Sequence, residues 1–179
     1  NSIDAGEIWH MLDVRFKMPV TMITPSRFTS LDLSKYTVLI ITGSPDISAA
    51  GVENIRNWNR MGGTIIGYET GNNWVARNKF ADIEFVPAAK SPIREGKFAD
   101  RSVTQQAQSI PGSIFETRLD LTHPLCYGYT RDRMPVFKSG SAVAKKDANV
   151  YNNPVMYTSS PLLSGYCKKA DLDRIKDSP

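Results

Sequence analysis

The residues best placed for chemistry lie in Gly67-Tyr68-Glu69-Thr70-Gly71. A short apolar run ends there and a polar, Trp-bearing segment follows, the layout of a strand, a tight turn and a helix. A Gly on each side of the central residue is the pattern of a nucleophile elbow, where Ser or Cys normally stands. Here the centre is Glu69. A carboxylate at that point can act as a nucleophile or a general base, helped by backbone N–H groups at the helix start. It can equally be a Glu favoured near a helix N-terminus by the dipole alone. Thr70 is a poor nucleophile without a partner base. Gly43, Ser44 and Asn72 join Glu69 and Thr70 as candidate pocket residues, because the Gly43-Ser44-Pro45-Asp46 turn follows the neighbouring strand.

A second constellation is "DLTHPLCYGY" (120–129). His123 three residues before Cys126 suggests a Cys–His dyad. Such pairs normally come from separate elements, and Pro124 and Gly128 fit a rigid loop in which His123 hydrogen-bonds locally. A third is "NNPVMYTSSPLLSGY" (152–166), whose small polar residues and prolines suit a pocket lining or a fixed loop. The GSPD turn lacks the spacing of a P-loop or a dinucleotide fingerprint.

The elements that must position these residues alternate in the first half. "DAGEIWHMLD" places Ile8, Trp9 and Leu12 on one helical face, with Asp4 as N-cap. "PVTMIT" (19–24) and "YTVLIIT" (36–42) read as strands. "VENIRNWNRM" (52–61) reads as a helix ended by Gly62-Gly63. "TIIGY" (64–68) is the next strand and "NNWVARNKF" (72–80) the next helix. Strands apolar throughout are expected to be buried on both faces. Joined by helices, they predict a parallel sheet in a layered α/β domain, with the functional crevice beyond the carboxyl ends of the strands.

The second half differs. Residues 90–112 are charged and poor in apolar periodicity, and are expected to form an irregular, partly helical excursion. "SIFETRLDL" (113–121) alternates Phe115, Thr117, Leu119 and Leu121, as a strand buried on one side does. "MPVFKSG" and "NPVMYTSS" follow as short strands, with Pro135 and Pro154 at starts or edges. "KADLDRIKD" closes as a helix.

The chain of 179 residues is expected to be a single domain, 1–179, long enough for a proper core. An apolar fraction of 41% and a charged fraction of 22% are ordinary for a globular protein. Net charge is +4, from 22 basic and 18 acidic residues. The charges are scattered, without the clustering that a nucleic-acid surface requires. No apolar run is long enough to span a membrane. The chain carries two histidines, His10 and His123, and neither CxxC nor HExxH, so no metal site is expected within it. Cys126 and Cys167 have no pairing that sequence alone can assign. A helical pattern begins at once and another lies near the end, which suggests a piece of a longer protein, truncated at both ends.

Four stretches, "YTVLIITGS", "VENIRNWNRMGGTIIGYETGNNWV", "LDLTHPLCYGY" and "NPVMYTSSPLLSGY", together resemble a known family. It is the class I glutamine-amidotransferase-like domain found C-terminal to bacterial zinc carboxypeptidase-like proteins. The resemblance implies a flavodoxin-like parallel sheet with helices on both faces. It implies a first strand before Asn1 and a further strand and helix after Pro179. Active members of that class hold Cys at the elbow, and a distant His followed closely by Glu completes a triad. Glu69 stands, within a residue, where the Cys would be. His123-Pro124 is similar to the His-Pro-Glu element, but Leu125 occupies the Glu position and the motif comes too early in the chain. Cys126 and Cys167 lie elsewhere, so the glutaminase triad does not carry over.

The resemblance therefore implies a non-catalytic accessory domain of a secreted or periplasmic protein. Zinc would belong to an upstream metallopeptidase domain, which is the implied partner. A peptide or small molecule is the implied ligand. Two other classes compete with this: an independent hydrolase using Glu69 with the His123 loop nearby, and a pure assembly module.

Overall fold

The computed structural model describes residues 2–87, 97–101 and 110–179. The chain is mixed α/β and divides into two compact units, Asn1–Asp82 and Ile83–Pro179. The excursion expected at 90–112 falls largely outside the described residues; within it, Phe98–Asp100 forms a 3-10 turn.

In the first unit, α1 (Ser2–Trp9) is followed by one wide turn, His10–Arg15. The helix begins before Asp4, which lies buried in the first turn rather than at the cap. The strand expected at 19–24 is not formed: the run has no ladder partner among the described residues and gives way to a 3-10 turn at Pro25–Thr29. Pro19 removes one backbone donor and Pro25 fixes the φ of a turn, so apolar content alone does not make this run a strand.

Strands β1 (Val38–Thr42) and β2 (Thr64–Tyr68) pair in parallel, from Val38 opposite Thr64 to Thr42 opposite Tyr68. Between them runs α2 (Ala49–Arg60), which starts earlier than the apolar spacing indicates. The Ser48 hydroxyl sets that start by accepting from the Gly51 amide. Ile55 and Trp58 bury the inner face of α2, and the Trp58 indole donates to the Tyr36 carbonyl at 2.9 Å. Gly62, at φ +104, and Gly63 end the helix. A Cβ on Gly63 would overlap the Trp58 ring.

The strands are not covered on both faces, as their composition suggested. Val38 and Ile66 are each 46% exposed, whereas Ile41 is 3% exposed. Only two strands pair in parallel among the described residues, so the layered sheet expected from the apolar runs is present as a single βαβ crossover.

α3 (Gly71–Arg77) follows β2. It stops at Asn78 because Lys79 takes φ +55, and Phe80 folds back to stack on Trp74 at 5.5 Å between ring centroids. The Arg56 guanidinium covers the Phe80 ring and donates to the Asn78 carbonyl.

The second unit is an antiparallel sheet in the order β4-β3-β5, with β3 at Ser113–Leu119, β4 at Arg133–Lys138 and β5 at Val155–Gly165. β3 alternates as its sequence predicts: Ser113, Phe115, Thr117 and Leu119 are buried. Leu121 lies past the end of the strand and is 37% exposed. Pro135 sits in an edge strand, where no ladder bond is lost on its outer side. β5 bulges between Tyr157 and Leu162, opposite Glu116, and Pro161 falls in that bulge.

α4 (Lys169–Ile175) closes the unit. Ile110, Phe115, Val143 and Ile175 form its core, with Tyr157 edge-on to Phe115. Among the described residues, no helix is long and apolar enough to cross a membrane.

Candidate functional site

The elbow forms. β2 ends at Tyr68, Glu69 and Thr70 make the turn, and α3 starts at Gly71. Glu69 has φ +50, the left-handed region that side chains enter at a cost of about 1–3 kcal/mol. The turn is closed by the Glu69 carbonyl accepting from the Asn72 amide and the Thr70 carbonyl accepting from Asn73. Both flanking glycines are needed for close approach. A Cβ on Gly67 would press on the backbone and side chain of Asn72, and one on Gly71 would collide with the Ile41 carbonyl.

The register brings the two expected loops to one edge. Thr42 and Tyr68 are partners, so Gly43-Ser44 leaves the sheet beside Glu69-Thr70. Gly43 is buried at φ +69 and turns the chain. The Ser44 hydroxyl accepts from Arg77 at 2.7 Å, tying the end of α3 to the loop after β1. Asn72 is half-buried against Gly67.

The electrostatics of this edge are acidic. Burial raises the pKa of the Tyr68 phenol, and the carboxylates of Glu69, Glu7 and Asp4 raise it further. Glu69 and Thr70 are exposed, and the Glu69 carboxylate has no hydrogen-bond or ion-pair partner among the described residues. A hydroxyl or thiol at an elbow requires a base to activate it; a carboxylate is already ionised and requires instead a second titratable group to carry the proton of the leaving group or water. The structure brings together the glycines, the strained turn and the helix start. Within the first unit it brings no His or Lys within bonding distance of Glu69 among the described residues.

His123 lies in the second unit. Its Nδ1 accepts from the Leu125 amide at 3.2 Å and caps the 3-10 turn Pro124–Cys126. Nδ1 as acceptor leaves the proton of the neutral ring on Nε2. The Cys126 thiol is 2% exposed and lies 3.8 Å from the Pro154 carbonyl, to which it donates. The two side chains thus serve the loop separately, in the local role that Pro124 and Gly128 suggested. Cys126 and Cys167 are both free thiols. Burial raises the pKa of Cys167, and Asp171 adds to it against the opposing Lys138.

The 152–166 stretch does both things its composition allowed. Asn153 fixes its loop through three hydrogen bonds, while Asn153, Pro154 and Met156 line a cleft in the second unit. Arg118 and Lys146, which line the same cleft, were not legible as partners. They come from distant segments with no shared motif, and only the outward place of Arg118 in the β3 alternation pointed to exposure. Among the described residues, no three His, Cys, Asp or Glu side chains gather as metal ligands.

No family model, no curated protein and no solved structure matches the chain.

Proposed function

We propose that this chain is a non-catalytic accessory domain of a secreted or periplasmic zinc carboxypeptidase-like protein, on a flavodoxin-like, amidotransferase-like scaffold. The observation that carries the proposal is the state of the elbow. Its strand, left-handed turn residue, two close-packed glycines and helix are all in place. Its central side chain is an exposed carboxylate with no activating partner among the described residues. An elbow whose carboxylate has no second titratable group bonded to it suits a scaffold that has parted from its chemistry.

The succession β1, α2, β2, α3 supports the scaffold half of the proposal, being the repeating unit of a flavodoxin-like sheet. The four stretches quoted from the sequence support the peptidase half. In this scheme zinc belongs to an upstream peptidase domain, and that domain is the partner. The present chain shapes access to it or binds a peptide or small ligand. Fold likeness by itself assigns no activity.

The test is peptide hydrolysis by the parent chain, compared for the intact form, Glu69→Gln and a deletion of residues 1–179. Equal rates for intact and Glu69→Gln, with loss on deletion, support the accessory role. Hydrolase activity in the isolated domain that Glu69→Gln abolishes would overturn it in favour of an independent enzyme. Unchanged rates on deletion would overturn it in favour of an assembly module.

A further inference from the structure

The antiparallel sheet carries a cleft of about 370 Å³ at the end where β3 stops and β5 starts. Arg118 and Asp120 reach it from the end of β3, Lys146 and Val150 from the loop before β5, and Asn153 and Met156 from the entry to β5. Arg118 and Met156 are direct cross-strand partners. The floor is pinned: the Asp120 amide donates to the Pro154 carbonyl at 2.8 Å, and Leu119 beside it is 4% exposed.

The polar groups of the surrounding loop close on themselves. The Asp147 carboxylate accepts from the Asn149 amide and the Asn152 side chain. The Asn153 side chain accepts from the Asp147 amide and donates to the carbonyls of Asp147 and Asn149. One Asp120 oxygen takes both the amide and the hydroxyl of Thr122, which hold that carboxyl below its ordinary range. Neither Arg118 nor Lys146 forms an ion pair among the described residues, and both are exposed. Asp120 and Asp147 are thus held by neutral donors rather than by either cation, which leaves Arg118 and Lys146 without an ion-pair partner over the cleft.

We propose that this cleft binds a small monovalent carboxylate carried on an apolar group, with Arg118 and Lys146 as its charge partners and Val150 and Met156 as its apolar contacts. A guanidinium fork suits the two oxygens of a carboxylate, and an ammonium adds a point charge beside it. Among the lining residues, Arg118 and Lys146 against a charged Asp120 give a balance of one positive charge, which a monoanion neutralises and a phosphate dianion overcompensates. The volume falls within the range of about 300–1,000 Å³ usual for small-ligand sites. The inference concerns the second unit alone and stands whichever way the elbow is read.

Two sources can supply this chemistry: a free organic acid, or the C-terminal carboxylate of a peptide ending in an apolar residue. The experiment is an NMR titration of the chain with 3-phenylpropionate, with N-acetyl-alanyl-phenylalanine, with the C-terminal amide of that peptide, and with inorganic phosphate. Shifts clustered at Arg118, Lys146, Val150 and Met156 with either acid, and binding of the amide weakened about tenfold or more, are expected. The tighter of the two acids identifies the source. Added salt should weaken the interaction, since both cations are exposed. Arg118→Gln and Lys146→Gln should each weaken it about tenfold without altering the rest of the spectrum. Equal binding of acid and amide, tighter binding of phosphate than of either acid, shifts elsewhere, or indifference to Arg118→Gln would each overturn the proposal.

Discussion

Gly71 and Ile41 touch through their backbones: the first residue of α3 lies so close to the Ile41 carbonyl of β1 that any Cβ would strike it. Both residues are buried. That contact is what lets a helix start immediately after β2 and still lie against both strands. Gly71→Ala forces the helix off the sheet or distorts β1. Overpacking of a well-packed site costs about 1–3 kcal/mol, and the obstacle here is backbone, which cannot rotate away as a side chain can. A denaturant titration should show a loss near the top of that range. A loss below a few tenths of a kcal/mol would mean that the close approach is not required.

Glu69 gives the opposite sign. Its φ of +50 is a conformation that glycine adopts freely and that asparagine tolerates. Its side chain has no hydrogen-bond or ion-pair partner among the described residues to offset the strain. Glu69→Gly should therefore stabilise the chain by about 0.5–1 kcal/mol, after the added entropy of the unfolded glycine is deducted. Glu69→Asn should fall between the two. Thermal melts of the three forms check the order, and a destabilised Glu69→Gly would show that the carboxylate holds something in place.

Much of this geometry was legible in the sequence, and the limits have physical causes. Gly67 and Gly71 announced the elbow because only glycine fits where backbones meet. Phe115, Thr117 and Leu119 announced β3 because a half-buried strand imposes a period of two on its own residues. The run at 19–24 misled because a strand is defined by its neighbour, and none pairs with it among the described residues. The exposure of Val38 and Ile66 was hidden for a similar reason: an apolar strand records its own composition, and coverage depends on what packs against it. Trp58 reaching Tyr36, and Arg118 sharing a cleft with Lys146, are long-range consequences of topology that no local spacing encodes.

The acidic edge beside the elbow predicts a titration. Burial first, then Glu69, Glu7 and Asp4, raise the folded pKa of Tyr68 above 10.0. A group whose folded pKa is raised contributes stability below its unfolded value and loses it as pH climbs through the folded value. The Tyr68 contribution is thus intact at neutral pH and fades only above about pH 10. Glu69→Gln removes one of the charges opposing ionisation and should move the Tyr68 transition back down. Ultraviolet titration of tyrosinate, with Tyr68→Phe to assign the transition, reads this directly. A transition that stays put in Glu69→Gln would show that burial, with Glu7 and Asp4, sets it without Glu69.

Arg174 ties together one corner of the second unit. Its side chain is 11% exposed and that of Asp171 is 3%, and the two meet at 2.8 Å within one turn of α4. Arg174 also donates to the Val86 carbonyl at 2.8 Å and the Ser141 carbonyl at 3.2 Å, so one guanidinium joins the helix to two loops. Removing one partner of a buried pair leaves the other charge uncompensated, at about 3–5 kcal/mol. Asp171→Ala strands the cation, but its two carbonyl contacts remain. Arg174→Ala strands the carboxylate and also leaves both carbonyls unpaired, so it should be the more damaging variant. The double change to an apolar pair, Asp171→Leu with Arg174→Met, should recover much of the loss, because neither charge is then buried. Chemical denaturation of the three variants tests this order. A double variant less stable than Arg174→Ala would mean that the carbonyl contacts, rather than the burial of charge, dominate the energetics of this corner.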